Sequence, residues 1–302
     1  MKRKLVSQGH SAITLTLPKK WCDRHSLKPG SEIELLEDGN KLVIKGEDEL
    51  QGGAIQIETS GLSDRTIKLL ISSLHRGGFS EITFQYSESE TLKLILEMVK
   101  DILLGFAVVR QGDNFVVLRS IARESPEEFT QILRRAFLVT ESMGISMVEM
   151  IEKRKYSELK DLIALEKTNN QLTSFCQRIL NRHGHPEWRK TCFYYVIAWN
   201  LEKVCDDYKY MCNILSKAQP KDNMAITGYI KNANTVFKSF HEAFYNFDVE
   251  KLDSIHLKNK ALMKDIVSAI KDNPDKEVLM HLHHMLMKID DFMASTIAIN
   301  CL

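Results

Sequence analysis

The chain has 302 residues, enough for two or three domains and a sizeable buried core. Its 41 basic and 40 acidic residues leave a formal charge of +1, so any strong electrostatic field must come from segregated charge. No apolar run approaches the roughly eighteen residues of a membrane span and no secretory leader opens the sequence. This excludes membrane insertion and leads us to expect a cytoplasmic protein whose six cysteines, none in a Cys-x-x-Cys pair, stay reduced.

Segregation begins at the first residues. Within residues 1–28 the cations are Lys2, Arg3, Lys4, Lys19, Lys20, Arg24 and Lys28 against the single acid Asp23, a formal +6 that attracts phosphate backbones. Ala12 to Leu17 alternate as a half-buried strand does, and Pro18 ends the strand because proline cannot donate to the ladder. A short helix is predicted from Pro18 to His25, a turn at Lys28-Pro29-Gly30-Ser31, a strand over Ile33–Leu36, a tight hairpin at Asp38-Gly39-Asn40 and a return over Lys41–Ile44. So few large apolar side chains cannot make a self-sufficient core, and dimerisation would supply the rest.

Gly9 through Leu17, Pro18-Lys19-Lys20-Trp21, Leu27-Lys28-Pro29-Gly30 and the Asn40–Ile44 return together resemble the AbrB/SpoVT/MazE swapped-hairpin domain. The resemblance implies a DNA-binding head that works as an interleaved homodimer. On it, the DNA-facing set falls on Lys2, Arg3, Lys4, Gln8, Thr14, Thr16, Lys19, Lys20 and Arg24.

The acid- and glycine-rich stretch 47–53 reads as a linker, closing a first domain at residues 1–46. Residues 54–122 read as a small α/β sandwich of βαβαββ order: a strand over 54–58, a helix over 63–76 closed by Gly77-Gly78, a strand over 81–85, a helix over 89–104 closed by Gly105, and a hairpin of 106–110 and 114–119. Gly77-Gly78 follows a helix and precedes no Lys-Ser/Thr, so no P-loop is present. The unit reads as a spacer or docking element, with a ligand site in it left open.

Residues 123–302 change to long amphipathic helices. Ser125-Pro126-Glu127-Glu128 is a capping box opening a helix to Lys155, and later starts are marked at Ser157-Glu158, His185-Pro186-Glu187, Lys221-Asp222, Phe247-Asp248 and Asn273-Pro274-Asp275. Six helices in two groups of three result, a bundle with an internal duplication between Leu201–Asp206 and Leu286–Asp291. In the third helix Ile197, Leu201, Val204, Tyr208, Met211 and Leu215 form a buried stripe, with Glu202, Asp206, Lys209 and Asn213 beside it. Cys205 and Cys212, seven apart, read as small core residues.

Leu201-Glu202-Lys203-Val204-Cys205-Asp206 resembles the Leu-Glu-Arg-Ile-Gly-Asp motif of PhoU-type phosphate regulators. With the basic head it gives the chain the look of the archaeal phosphate uptake regulators. The resemblance implies control of phosphate uptake and homeostasis, a phosphate ABC transporter or its regulators as partner, and a divalent or trivalent metal ion held by Glu202, Asp206 and the adjacent Asp207. The second acid is missing at Glu166-x-x-x-Asn170 and the first at Met287-x-x-x-Asp291, and His256 and Lys260 stand where acids would be expected, so at most one cluster is implied and no cofactor is required. His281-x-His283-His284 reads as a solvent-facing turn with no acid on its face. Absent Glu-x-x-His, His-Glu-x-x-His and Gly-x-Ser-x-Gly motifs, the reading is a regulator and not an enzyme. Its rivals are a phosphate-transport adaptor acting by protein contact, and an AbrB-type regulator answering to a non-phosphate signal.

Overall fold

The computed structural model describes residues 2–9, 12–38, 41–45, 53–122, 124–220, 223–271 and 273–302. The chain divides into two compact units, Met1–Gln51 and Gly52–Leu302. The first is a small β region and the second is mostly helical.

In the first unit β1 (Leu5–Gln8) pairs antiparallel with β2 (Ala12–Leu15), setting Leu5 opposite Leu15 and Val6 opposite Thr14. β1 went unpredicted. Gly9 supplies the positive φ (+73°) that lets the chain turn back after it. Pro18, with its ring-fixed φ of −66°, precedes the six-residue helix α1 (Lys19–Arg24). β3 (Glu34–Asp38) and β4 (Lys41–Lys45) form a second antiparallel pair. The predicted Gly39-Asn40 tip and, apart from Gly53, the predicted linker lie outside the described residues. None of the described side chains of residues 2–45 is buried. The half-buried strand expected over Ala12–Leu17 is therefore exposed along β2 in a single chain, Ile13 at 70%.

The second unit opens with β5 (Ala54–Glu58), α2 (Asp64–Arg76), β6 (Glu81–Gln85), α3 (Ser89–Asp101), β7 (Phe106–Gln111) and β8 (Phe115–Ser120). β5 and β6 are parallel because α2 carries the chain back between them, and the sheet order β5-β6-β8-β7 puts β8 inside the sheet. Ser63 caps α2, and Ile67 and Ile71, one turn apart, face Ile82, Phe84, Val116 and Leu118 of the sheet. α3 stops at Asp101, short of the expected Leu104, and the bend that follows buries Leu103.

Six longer helices follow: α4 (Pro126–Glu152), α5 (Ile163–His183), α6 (Thr191–Lys217), α7 (Asn223–Tyr245), α8 (Val249–Ile270) and α9 (Lys276–Cys301). The Ser125/Glu128 capping box opens α4, and Asp248 caps α8 by accepting from the Glu250 and Lys251 amides. Two predicted starts fall early. Tyr156–Leu162 is a 3₁₀ turn, whose three-residue repeat buries Tyr156, Leu159 and Leu162 together, so α5 begins only at Ile163. A second 3₁₀ turn, Trp188–Lys190, delays α6 to Thr191. α4, α5 and α6 pack together, α8 packs on α7 and α9, and the two trios join where α6 lies along α9 and α4 along α7. Phe137 sits at the centre of the aromatic core, ringed by Phe237, Phe240, Phe244 and Phe292. Gly144 lets α4 approach α6 and α7: its carbonyl accepts from Asn234 Nδ2, and a Cβ there would lie 2.7 Å from the Tyr208 hydroxyl.

α5 is the platform on which the sheet layer rests. Every residue from Leu172 to Leu180 is buried, Arg178 included. The Arg178 guanidinium donates from Nε to Glu124 Oε1 (2.9 Å) and from Nη1 to the His75 carbonyl (2.8 Å), and lies 4.8 Å over the Phe106 ring. Asn181 and Gln171 donate to the carbonyls of Arg76 and Lys100, and Lys167 pairs with Asp101. Residues 54–122 and the helices are thereby one compact unit. Burial alone would raise the Glu124 carboxyl, but a hydrogen bond from His183 and the Arg178 and Arg182 charges prevail and bring it down to about 2. Burial dominates at His75, pulling its imidazole down to about 4 against the partial support of the Leu104 carbonyl.

Candidate nucleic-acid interface and the carboxylate cluster

Side chains of directly paired residues share a face, so the β1/β2 register sorts the first hairpin into two sides. One carries Gln8, Ala12, Val6 and Thr14, with Val6 itself 55% exposed. The other carries Leu5, Ser7, Ile13 and Leu15, and its three apolar side chains are exposed, Leu5 at 67%. Lys19, Lys20 and Arg24 project to solvent from α1, and Lys2, Arg3, Lys4, Gln8 and Thr16 are exposed too. Thr14 differs in one respect: its hydroxyl donates to the Val6 carbonyl across the hairpin, which fixes its side chain and leaves oxygen lone pairs to accept. All nine predicted DNA-facing residues thus lie on the surface of the first unit.

The predicted metal carboxylates stand on α6, interleaved with lysines. Lys203 Nζ donates to Glu202 Oε1 (3.0 Å) and Asp206 Oδ2 (3.1 Å), and Lys209 Nζ to Asp206 Oδ1 (2.6 Å) and Glu166 Oε1 (2.6 Å). Asn170 Nδ2 binds the same Glu166 oxygen, and Arg76 approaches Glu202 Oε2 at 3.8 Å. The result is an alternating chain of charges, not a repelling acid pair. Burial opposes ionisation at Asp206, Glu166, Lys203 and Lys209. Asp206, touched by two ammonium groups, is still held below the usual carboxylate range, whereas at Glu166, with one, burial wins and its carboxyl is raised. Lys203 and Lys209, also disfavoured by burial, are nonetheless raised by their carboxylates.

Asp207 does not join this group. Buried on another face of α6, it accepts from His281 Nδ1 (2.9 Å) and His284 Nδ1 (2.7 Å) of α9. The acid missing from the His281–His284 face in sequence is thus supplied across the bundle, and the turn expected to face only solvent is anchored. In the second trio His256 Nδ1 bonds Asp290 Oδ1 at 2.6 Å. A hard cation wants several free oxygens, and here ammonium groups already occupy Glu202, Asp206 and Glu166. Among the described residues no set of three or more His, Cys, Asp or Glu groups is arranged to hold a metal ion, so these side chains as placed do not suit the implied metal. Glu166 and Lys209 were visible as a truncated motif and as a member of the polar stripe. The Asp207–His281 link spans 74 positions and has no local signal.

The first unit is a small β region whose cations gather within residues 2–28. Residues 6–48 match a protein family described as antidote-toxin recognition MazE, bacterial antitoxin. The head is therefore MazE/AbrB-like, and the match covers no part of the second unit. No curated protein and no solved structure matches the chain. No described helix is long and apolar enough to cross a membrane.

Proposed function

We propose that the chain is a cytoplasmic DNA-binding transcriptional regulator whose head grips operator DNA as an interleaved homodimer, with the helical unit as its sensing or docking body and no catalytic step. The supporting observation is a head without a core, in which exposed apolar side chains such as Leu5 and Ile13 are fit for a second copy and the exposed cations of residues 2–24 are fit for phosphates. The finer reading is control of phosphate uptake, with a phosphate ABC transporter or its regulators as partner. The two helix trios and the Leu201–Asp206 motif support it.

A second reading, a regulator answering to another signal, is favoured by one observation: Lys203 and Lys209 stand among the carboxylates that would hold the metal. Salt-dependent titration of duplex DNA with the full chain tests the head. Lys19→Glu plus Lys20→Glu changes four exposed cations per dimer, so we expect affinity to fall about 100-fold and the log–log salt slope to shrink by about three to four units, with melting of the chain unchanged. Unchanged affinity and slope would remove DNA binding from this face.

A further inference from the structure

The second unit holds an open cleft of about 690 Å³ between the sheet layer and the bundle. That volume lies within the roughly 300–1,000 Å³ of small-molecule sites. α2 contributes Arg65, Lys68 and Arg76 from one face, and α6 contributes Lys203. Against them stand only Asp64 and Glu202, so the lining carries a formal excess of two positive charges. Arg65 and Lys68 are exposed and make no ion pair with any described residue. Cations left unpaired at the rim of a cleft attract a multiply charged anion.

The inner end has different chemistry. Trp199 is 41% exposed there, with the Arg76 guanidinium 5.7 Å and the Lys203 ammonium 5.3 Å from its ring, and Leu69, Met98 and Ile102 complete an apolar ledge. Two buried acceptors of residues lining the cleft, Glu202 Oε2 and Asn170 Oδ1, have no hydrogen-bond partner. Leaving an acceptor without a donor is costly; Glu202 Oε2 has only the Arg76 guanidinium at 3.8 Å, and a small rotation of each side chain toward the cleft would let a ligand's N–H groups reach both. A flat ring with amino hydrogens, joined to a chain of negative charges, meets each requirement.

We propose that this cleft binds a purine nucleotide, its base beside Trp199 with N–H groups toward Glu202 and Asn170, and its phosphates on Arg65 and Lys68. Bound there, the nucleotide would bridge α2 and α6 and tie the sheet layer to the bundle. The cleft lies wholly within the second unit and takes no residue from the head.

The test is calorimetric titration of the full chain at fixed ionic strength with ATP, UTP, adenosine and pyrophosphate. ATP should bind with a Kd below about 1 mM and at least about tenfold more tightly than each of the other three. Arg65→Glu plus Lys68→Glu, two exposed changes that leave folding intact, should weaken ATP at least about tenfold, as should Trp199→Leu. Lys19→Glu plus Lys20→Glu should leave ATP binding unchanged. Pyrophosphate binding as tightly as ATP, ATP binding that ignores the Arg65 and Lys68 changes, or no ATP binding would each overturn the proposal.

Discussion

The head and the body of this chain solve opposite problems. In residues 2–45 no described side chain is buried, and Leu5, Ile13, Leu35 and Leu42 are each more than half exposed. In the second unit nine consecutive residues of α5, Leu172 to Leu180, are walled in, and even an arginine lies in the core. A region that leaves its apolar residues in water lacks a fold of its own making, whereas the body closes its core within one chain. Damage to the head should thus register in assembly and binding, and damage to the body in thermal stability.

The largest expected effect tests the head's proposed dependence on a second copy. Leu5→Asp plus Ile13→Asp places carboxylates on the apolar side of the first hairpin and touches none of the nine candidate DNA residues. Sedimentation should show dimer converting to monomer and DNA binding should disappear, with the body's melting unmoved. A variant that remains dimeric would place the interface elsewhere.

In the body, Arg178→Met should cost about 3 kcal/mol, because a buried Glu124 loses its closest cation and the His75 carbonyl a donor. Chemical denaturation reads this loss, which DNA affinity should not follow. A loss below about 1 kcal/mol would mean that Arg182 and His183 suffice for Glu124.

Acid probes the same seam without mutation. His75 titrates near 4 in the fold and near 6.5 when unfolded, so the unfolded chain takes up its proton first. Its contribution is complete above pH 6.5 and is lost as pH falls toward 4, by up to about 3 kcal/mol. Glu124, depressed from 4.5 to about 2, adds a loss that starts only below pH 4.5. Body stability should therefore already decline between pH 6.5 and 4.5, and His75→Gln should flatten that part of the curve. A profile flat down to pH 4.5 would contradict the buried neutral imidazole.

The smallest effect concerns the lysine-laced carboxylates. Glu202 and Asp206 stand four apart on α6, a spacing at which two isolated like charges repel and neutralisation would be neutral or mildly stabilising. With Lys203 bridging the two and Lys209 bridging Asp206 to Glu166, Glu202→Gln plus Asp206→Asn should instead lower stability by about 1 kcal/mol, and added divalent metal should leave the melting of both proteins alike. Metal-dependent stabilisation lost in the double variant would restore the metal reading.

Local signals were legible where one residue's chemistry decides the backbone. Ser125 and Glu128 form their capping box, Asp248 caps its helix, and all six stripe residues from Ile197 to Leu215 are buried. Ambiguity arose where two periods coincide: Tyr156, Leu159 and Leu162 suit a 3₁₀ turn as well as the first turn of an α-helix. The site was least legible where partners come from distant helices. Nothing near Glu202 announces Arg76, nothing near Asp207 announces His281, and arginine so seldom lies in a core that Arg178 gave no sign of its position.

The walled-in stretch of α5 bears on how the chain assembles. Its main helix neighbours are α2, α3, α4 and α6, all encoded before residue 218, so most of its enclosure precedes α7, α8 and α9 in the chain. A growing polypeptide can wrap this segment while its last third is still being made, and the backbone amides of residues 172–180 should then be among the last to exchange with solvent, released by opening of the whole body and not by fraying.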